Sequence, residues 1–351
     1  MTPRRIAAFV GVSLIALAAL HAGAWFVIAG RFGQGIDRWA AERRTDGWTV
    51  AYSSREVEGF PFAWRARVVA PHLERQDREP AFLWAGPHLD LDWRPWQPDT
   101  IGFLSAGEHR LGYGPATVAQ PARLRVAAAS GRLDFAAGGE LRRLALQIED
   151  AVLTPQAGEA LRLSRLFATL DAAPAVTGKA GDSGHMQPSL QVEGELFGLT
   201  LPEEPRPALG RTVGHIALRG AVMGRLPAAN PRRALDRWRR DGGTVEIERL
   251  ELGWSALTVQ AEGTLALDAG LRPIGALTAR VTGFSETADA LMASGVIEPG
   301  QAMVAKLALG ALARVPAGGG KPEIDVPLAA QEGWLFVGPV KLAPLPPIRW
   351  E

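Results

Sequence analysis

The chain has 351 residues, of which 47% are apolar and 21% charged, with a formal net charge of +1 and no cysteine. That balance suits a folded protein with a sizeable core and excludes an extended disordered chain. Near-neutrality argues against a nucleic-acid partner, which needs a basic face. The missing cysteines exclude disulfides, thiolate metal sites, cysteine nucleophiles and cysteine-borne lipid anchors.

In chain order, the first element is an unbroken apolar run from Ile6 to Gly30, preceded by Arg4 and Arg5. About 25 helical residues at roughly 1.5 Å each span a bilayer with some tilt. Residues 1–30 therefore read as a transmembrane signal-anchor, with Arg4 and Arg5 as its basic flank and Trp25 and Phe26 near the far interface. Ala22-Gly23-Ala24 offers a small-residue cleavage site, but the run continues through Trp25, Phe26, Val27 and Ile28, which favours an uncleaved anchor. Arg31, Arg38, Arg43 and Arg44 blur the positive-inside count. Long domains translocate largely regardless of charge, so the expected topology is single-pass in an inner membrane, N-terminus cytoplasmic and body periplasmic. Phe32, Ile36, Trp39 and Ala40 recur at helical spacing, which predicts an amphipathic stalk helix over 31–46 ended by Asp46-Gly47.

From Trp48 onward, over a body spanning 47–351, the dominant signal is alternation. Leu89, Leu91 and Trp93 alternate with His88, Asp90 and Asp92; Leu257, Val259 and Ala261 alternate with Thr258, Gln260 and Glu262. Such strands bury one face and wet the other. Two segments change phase midway, after Ile247 and after Leu196, as a β-bulge or strand break would make them do. The expected fold is mainly β (α+β): a large, curved, mostly antiparallel sheet with a few packing helices. A weak subdivision falls in the small, polar stretch near 174–186. Asn230-Pro231 opens one helix to Asp241, Ser285 caps a second over Glu286 to Ala293, and Glu298 to Arg314 reads as a third.

Few residues suggest chemistry. His88, Asp90 and Asp92 share a strand face with the donor types a metal takes, but the wet side of an alternating strand accounts for them, since Leu89, Leu91 and Trp93 supply the buried side. No H-E-x-x-H, G-x-S-x-G, S-x-x-K or phosphate-cradling glycine loop is present. No catalytic residue, metal or cofactor is expected, and the oligomeric state stays open. Arg232, Arg233, Arg237 and Arg240 give the 231–241 helix a basic face, either solvated or set against lipid head groups. In Gly59-Phe60-Pro61-Phe62 the proline fixes a bend. Phe60, Pro61 and Phe62 are either a hairpin corner packed on the core or an apolar contact turn.

Gly59-Phe60-Pro61-Phe62, Trp93-Arg94-Pro95-Trp96-Gln97-Pro98, Gly263-Thr264-Leu265-Ala266-Leu267-Asp268 and the Gly333-to-Leu342 tail occur in that order. With the leading apolar segment, this plan resembles the bacterial family catalogued as domain of unknown function 2125. The second half is also similar to AsmA-like envelope proteins, whose curled sheets form apolar grooves. The resemblance implies an envelope protein without an assigned activity. The expected role is non-enzymatic contact with, or handling of, lipid acyl chains through an apolar groove. A scaffold for an envelope protein complex is the alternative, and a periplasmic hydrolase lacking any recognisable motif is the second.

Overall fold

The structure, a computed structural model, describes residues 3–76, 81–114, 121–173, 187–204, 207–225, 231–317, 319–337 and 340–348. The stretch near 174–186 and the Asn230 cap lie outside them. The fold is mainly β: strands make up about half of the described residues, they pair antiparallel, and the sheet is open. Two compact units emerge, Met1–Ala122 with Ser130–Asp134, and Arg123–Ala129 with Phe135–Glu351.

The first unit begins with α1 (Pro3–Thr45), a single uninterrupted helix. Its segment from Gly11 is long and apolar enough to cross a membrane. Val12, Leu14, Ile15, Leu17 and Leu20 lie exposed along it. From Trp25 onward the same helix turns one face to the sheet: Trp25, Ala29, Gly33 and Ala40 are buried at spacings of about one or two turns. The expected stalk is thus a docked helix, and the free apolar part ends near Ala24.

Seven strands complete this unit: β1 (Thr49–Ala51), β2 (Ser54–Glu58), β3 (Trp64–Val69), β4 (His72–Arg75), β5 (Phe82–Ala85), β6 (His88–Arg94) and β7 (Gln97–Tyr113). Their pairings run β1–β4–β5–β7 and β2–β3–β6–β7. The register of β1 on β4 continues unchanged as that of β2 on β3, and β4 on β5 continues as β3 on β6. The unit is therefore a four-stranded meander whose first three strands break at mid-length. Pro71 and Pro87 sit at two of the breaks, where a missing N–H stops the ladder. Single bonds bridge the crease, from Ala70 N–H to Pro87 O (2.8 Å) and from Gly86 N–H to Pro71 O (3.1 Å). Trp64, Ala66 and Val68 alternate inward against α1, while Arg65, Arg67, Asp90 and Asp92 lie on the other face.

In the second unit, ten strands follow one another as nearest neighbours. They are β9 (Leu141–Thr154), β10 (Leu161–Ala172), β11 (Pro188–Thr200), β12 (Thr212–Met223), β13 (Thr244–Trp254), β14 (Leu257–Leu267), β15 (Pro273–Thr282), β16 (Glu323–Gln331), β17 (Trp334–Val337) and β18 (Val340–Pro344). Each pairs antiparallel with the next. β8 (Ala122–Phe135) precedes them and contributes residues to both units. The phase change after Ile247 is a true bulge: the ladder on β14 jumps from Ile247 to Leu250, leaving Glu248 and Arg249 out of register. The one expected after Leu196 is absent. Leu196 and Phe197 pair in an unshifted register on both sides, so their side chains simply lie on opposite faces.

Among the described residues three helices accompany this sheet: α2 (Pro231–Arg240), α3 (Phe284–Ala293) and α4 (Pro299–Leu312). Ser285 does not cap α3. The cap is Gly283, and Thr287 donates its hydroxyl to the Gly283 carbonyl at 2.7 Å. At α4 the Glu298 N–H donates to the Gln301 side chain at 3.1 Å, half of a capping box.

Candidate functional site

Two surfaces stand out, one in each unit. In the first unit, the β2–β3 turn and the β6–β7 turn lie side by side, because Trp64 on β3 pairs with Trp93 on β6. Both turns are aromatic, and both flank α1 where its free apolar part ends. Trp25 is 4% exposed; its indole N–H donates to Ala63 O at 2.9 Å, and Trp64 donates back to Trp25 O at 3.3 Å. Phe60 packs edge-on against Trp25 at 5.5 Å and stacks with Phe26 at 6.0 Å. Phe62 lies 5.7 Å from the His21 ring. His21, the strongly polar residue of the apolar run, finds its partner at Pro61 O, 2.9 Å away. The backbone needs Gly59 at this corner. Its φ is +105°, and a methyl group there would stand 2.8 Å from Ala63 O. Phe60 covers the buried Trp25 with one side of its ring, and Phe62 stands clear of the core. They remain 53% and 75% exposed, and Trp96 on the neighbouring turn 64%.

Below this collar, Phe32 stacks on Trp93 at 5.6 Å. Asp37 accepts a bond from the Tyr52 hydroxyl at 2.5 Å and a bidentate pair from Arg55 at 3.1 and 2.7 Å. Tyr52 and then Arg55 hold the Asp37 carboxyl below the usual range. Arg55 reaches it by crossing Gly33, where a methyl group would stand 1.8 Å from Nη1.

In the second unit, cross-strand partners share a face. One row reads Ile148, Leu166, Leu196, Ile216, Leu252, Val259, Val281 and Ile324 across eight strands. The row beside it, on the opposite face, reads Gln147, Phe167, Glu195, Ala217, Glu251, Gln260, Arg280 and Asp325. The apolar face is only half-covered: its large residues keep intermediate exposure apart from buried Ile324, and Leu218 is 39% exposed. At one end α2 closes over it. Trp238 is buried and donates to Met223 O at 2.7 Å. Between helix and sheet lies a cavity of about 500 Å³ lined by Val222, Val245 and Leu265 of the sheet, Ala234, Leu235 and Trp238 of α2, and Ala266, Leu267, Pro273 and Ile348. Its size falls within the range of small-molecule sites, and its lining residues are apolar.

The basic face of α2 is present. Arg233, Arg237 and Arg240 are exposed, and Arg240 pairs with Asp236 at 2.8 Å. Arg233 and Arg237 enter no ion pair among the described residues. The side chains of Arg4, Arg5 and Arg232 lie outside the description. At the other end of the strands, α3 and α4 are tied by Lys306 and Asp289 at 2.9 Å, and Met303, Val304 and Leu307 face outward, all more than half exposed.

The polar clusters resolve into pairs. Asp90 takes a bidentate bond from Arg67 at 2.8 and 2.9 Å, which holds its carboxyl low. Among the described residues no three potential ligands gather for a metal. On the polar face of the second unit a cleft of about 190 Å³ carries Glu251 and Asp325, held by Arg249 (2.7 Å) and Arg280 (3.3 Å). Arg249 lowers the Glu251 carboxyl, the wrong direction for a general acid. His109 is 4% exposed, stacks on Trp84 at 6.1 Å, and finds no partner for either ring nitrogen among the described residues.

Sequence reading singled out Trp25, Phe26, Phe60, Pro61 and Phe62 separately, and the structure gathers them. It missed Trp96 as a tip residue, although the Pro95-Trp96 turn was visible. It also missed the cavity, whose signal was Ala234, Leu235 and Trp238 sharing one side of α2. A family model described as "Uncharacterized protein conserved in bacteria (DUF2125)" matches residues 25–346. No curated protein and no solved structure matches the chain, and the expected similarity to AsmA-like proteins is not among the findings.

Proposed function

The chain belongs to the uncharacterised bacterial family DUF2125, and from that premise we propose that it is a membrane-tethered envelope protein that takes lipid acyl chains onto the apolar face of its second unit. The observation carrying this reading is the cavity beneath α2, apolar on every side and continuous with the half-covered sheet face through Val222, Val245 and Leu265. Moving an acyl chain from water onto such a surface gains roughly 0.8 kcal/mol per CH₂. Moving it from bilayer hydrocarbon gains almost nothing, because the two surroundings are alike. The site therefore exchanges chains with a membrane instead of trapping them, and selectivity falls to the head group. Arg233 and Arg237 on the solvent side of the same helix offer a phosphate its charge partner.

The body lies in the periplasm in this reading, with α1 spanning the inner membrane. The chemistry is passive, with no bond made or broken. The test is phospholipid content of full-length protein purified in mild detergent, measured by mass spectrometry. Wild-type protein retains lipid, and Leu265→Lys, which puts a charge into the cavity, loses it while keeping its circular dichroism. Lipid-free wild-type protein, or equal lipid in both, refutes the proposal and leaves the scaffold reading.

A further inference from the structure

We propose that the two aromatic turns of the first unit, Phe60–Phe62 and Trp96, rest in the interfacial layer of the bilayer that α1 crosses, and fix how deep that unit sits. The occupant is the lipid surface itself, and geometry identifies it. From Ile6 to Ala24 the helix offers 19 residues, about 28 Å at 1.5 Å per residue, against a hydrocarbon core of about 30 Å. Trp25 therefore stands where hydrocarbon gives way to head groups. The β2–β3 turn is bonded to the helix at that level, through Trp25 to Ala63 O at 2.9 Å and through His21 to Pro61 O at 2.9 Å. A turn clamped at two points to a membrane-crossing helix cannot stand clear of the membrane.

The direction of the turn agrees. His21 lies four residues, about 6 Å, further into the bilayer than Trp25, and the Phe62 ring is its neighbour at 5.7 Å. Phe62, the deeper tip, is also the most exposed of the group at 75%, with Trp96 at 64%. Large rings left bare in this zone match the aromatic preference of the interface.

Part of the turn's backbone is satisfied without water. Gly59 O accepts from Ala63 N–H at 2.8 Å, Pro61 has no N–H, and the Pro61 and Ala63 carbonyls are satisfied by side chains of α1. This explains why a histidine stands in an otherwise apolar run: it satisfies a carbonyl of the turn that enters beside it.

The chain has no cysteine, so single-cysteine variants carry one label each. Full-length Leu17→Cys, Phe62→Cys, Trp96→Cys and Asp46→Cys are labelled with a small fluorophore and reconstituted into phosphatidylcholine–phosphatidylglycerol vesicles. Quenchers are nitroxide on the head group, nitroxide on the acyl chain, and aqueous iodide. The expected result is loss of emission by lipid-borne nitroxide at Phe62 and Trp96, acyl-chain quenching at Leu17, and iodide quenching alone at Asp46. Iodide quenching at Phe62 and Trp96 equal to that at Asp46 overturns the proposal. Shielding of both positions from every quencher also overturns it, since protein then covers the tips. A Leu17 label untouched by lipid nitroxide overturns it at its root, the anchor, without touching the acyl-chain proposal for the second unit.

Discussion

Replacing Trp25 by alanine should separate α1 from the body it carries. The indole is buried among Trp64, Phe60 and Phe26, with ring centroids at 6.3, 5.5 and 5.1 Å. Truncating a buried tryptophan to alanine costs about 3–5 kcal/mol. Leaving Ala63 O without its donor adds roughly 1 kcal/mol. A loss of about 4–6 kcal/mol is a large share of the roughly 5–15 kcal/mol that holds a domain together. Trp25→Phe keeps a ring in place and gives up the bond to Ala63, so it should cost about 1–2 kcal/mol. Hydrogen exchange of full-length protein in detergent, read on peptides from β2, β3 and β6, measures this directly. Trp25→Ala should speed exchange there far more than Trp25→Phe, and peptides from β12 to β16 should be unchanged. Equal protection in wild type and Trp25→Ala would show that the helix merely passes the sheet, and the docking argument would fail.

Acid should weaken the first unit in a defined window. Asp37 and Asp90 titrate in the fold below their unfolded value of about 3.9. Their stabilisation is complete above that value and is lost as pH falls through the folded pKa. Asp37→Asn with Asp90→Asn should flatten the slope of stability below about pH 4, as read by urea unfolding across pH; an unchanged slope contradicts it. Gly33→Ala should displace the end of Arg55 from Asp37; the loss of about 1.5–3 kcal/mol for a bond to a charged group, set against a gain of about 1 kcal/mol in helix propensity, should leave the first unit weaker by about 0.5–2 kcal/mol. Thermal midpoints of wild type and Gly33→Ala would show it, and Gly33→Ala at wild-type stability counts against it. Burial lowers the His109 pKa, so the unfolded chain binds more protons and stability falls as pH drops below about 6.5. His109→Phe should remove that fall and leave stability at neutral pH equal or higher; a variant that keeps the dependence disproves the assignment.

The strands were legible in the sequence because period-two alternation reports which face is wet. Leu257, Val259 and Ala261 against Thr258, Gln260 and Glu262 is a local statement and survives folding intact, whereas on β6 the expected wet side carries Asp90, 6% exposed beneath Arg67. The bulge after Ile247 was legible for the same reason. The change after Leu196 misled because Phe197 is a large ring on the polar face, stacked on His215 at 4.7 Å, which mimics a change of parity. The docking of α1 was half legible. Phe32, Ile36 and Ala40 announce an inward face, but nothing local reveals that Trp25 also meets Ala63 and Trp64, about forty residues on. Of the cavity only one wall was legible, Ala234, Leu235 and Trp238 on one side of α2; that β12 to β15 and Ile348 leave a gap beneath that helix is a matter of packing that no local pattern reports.

The central claim is that acyl chains occupy the apolar side of the second unit. Full-length protein in native membranes, supplied with phospholipid bearing a diazirine near the acyl terminus, is irradiated and digested, and the adducts are mapped. Adducts should concentrate on peptides containing Leu235 and Trp238 and on those spanning Leu265 to Pro273, and Leu265→Lys should abolish them. Adducts confined to the α1 peptides, with none on the second unit, would contradict the account.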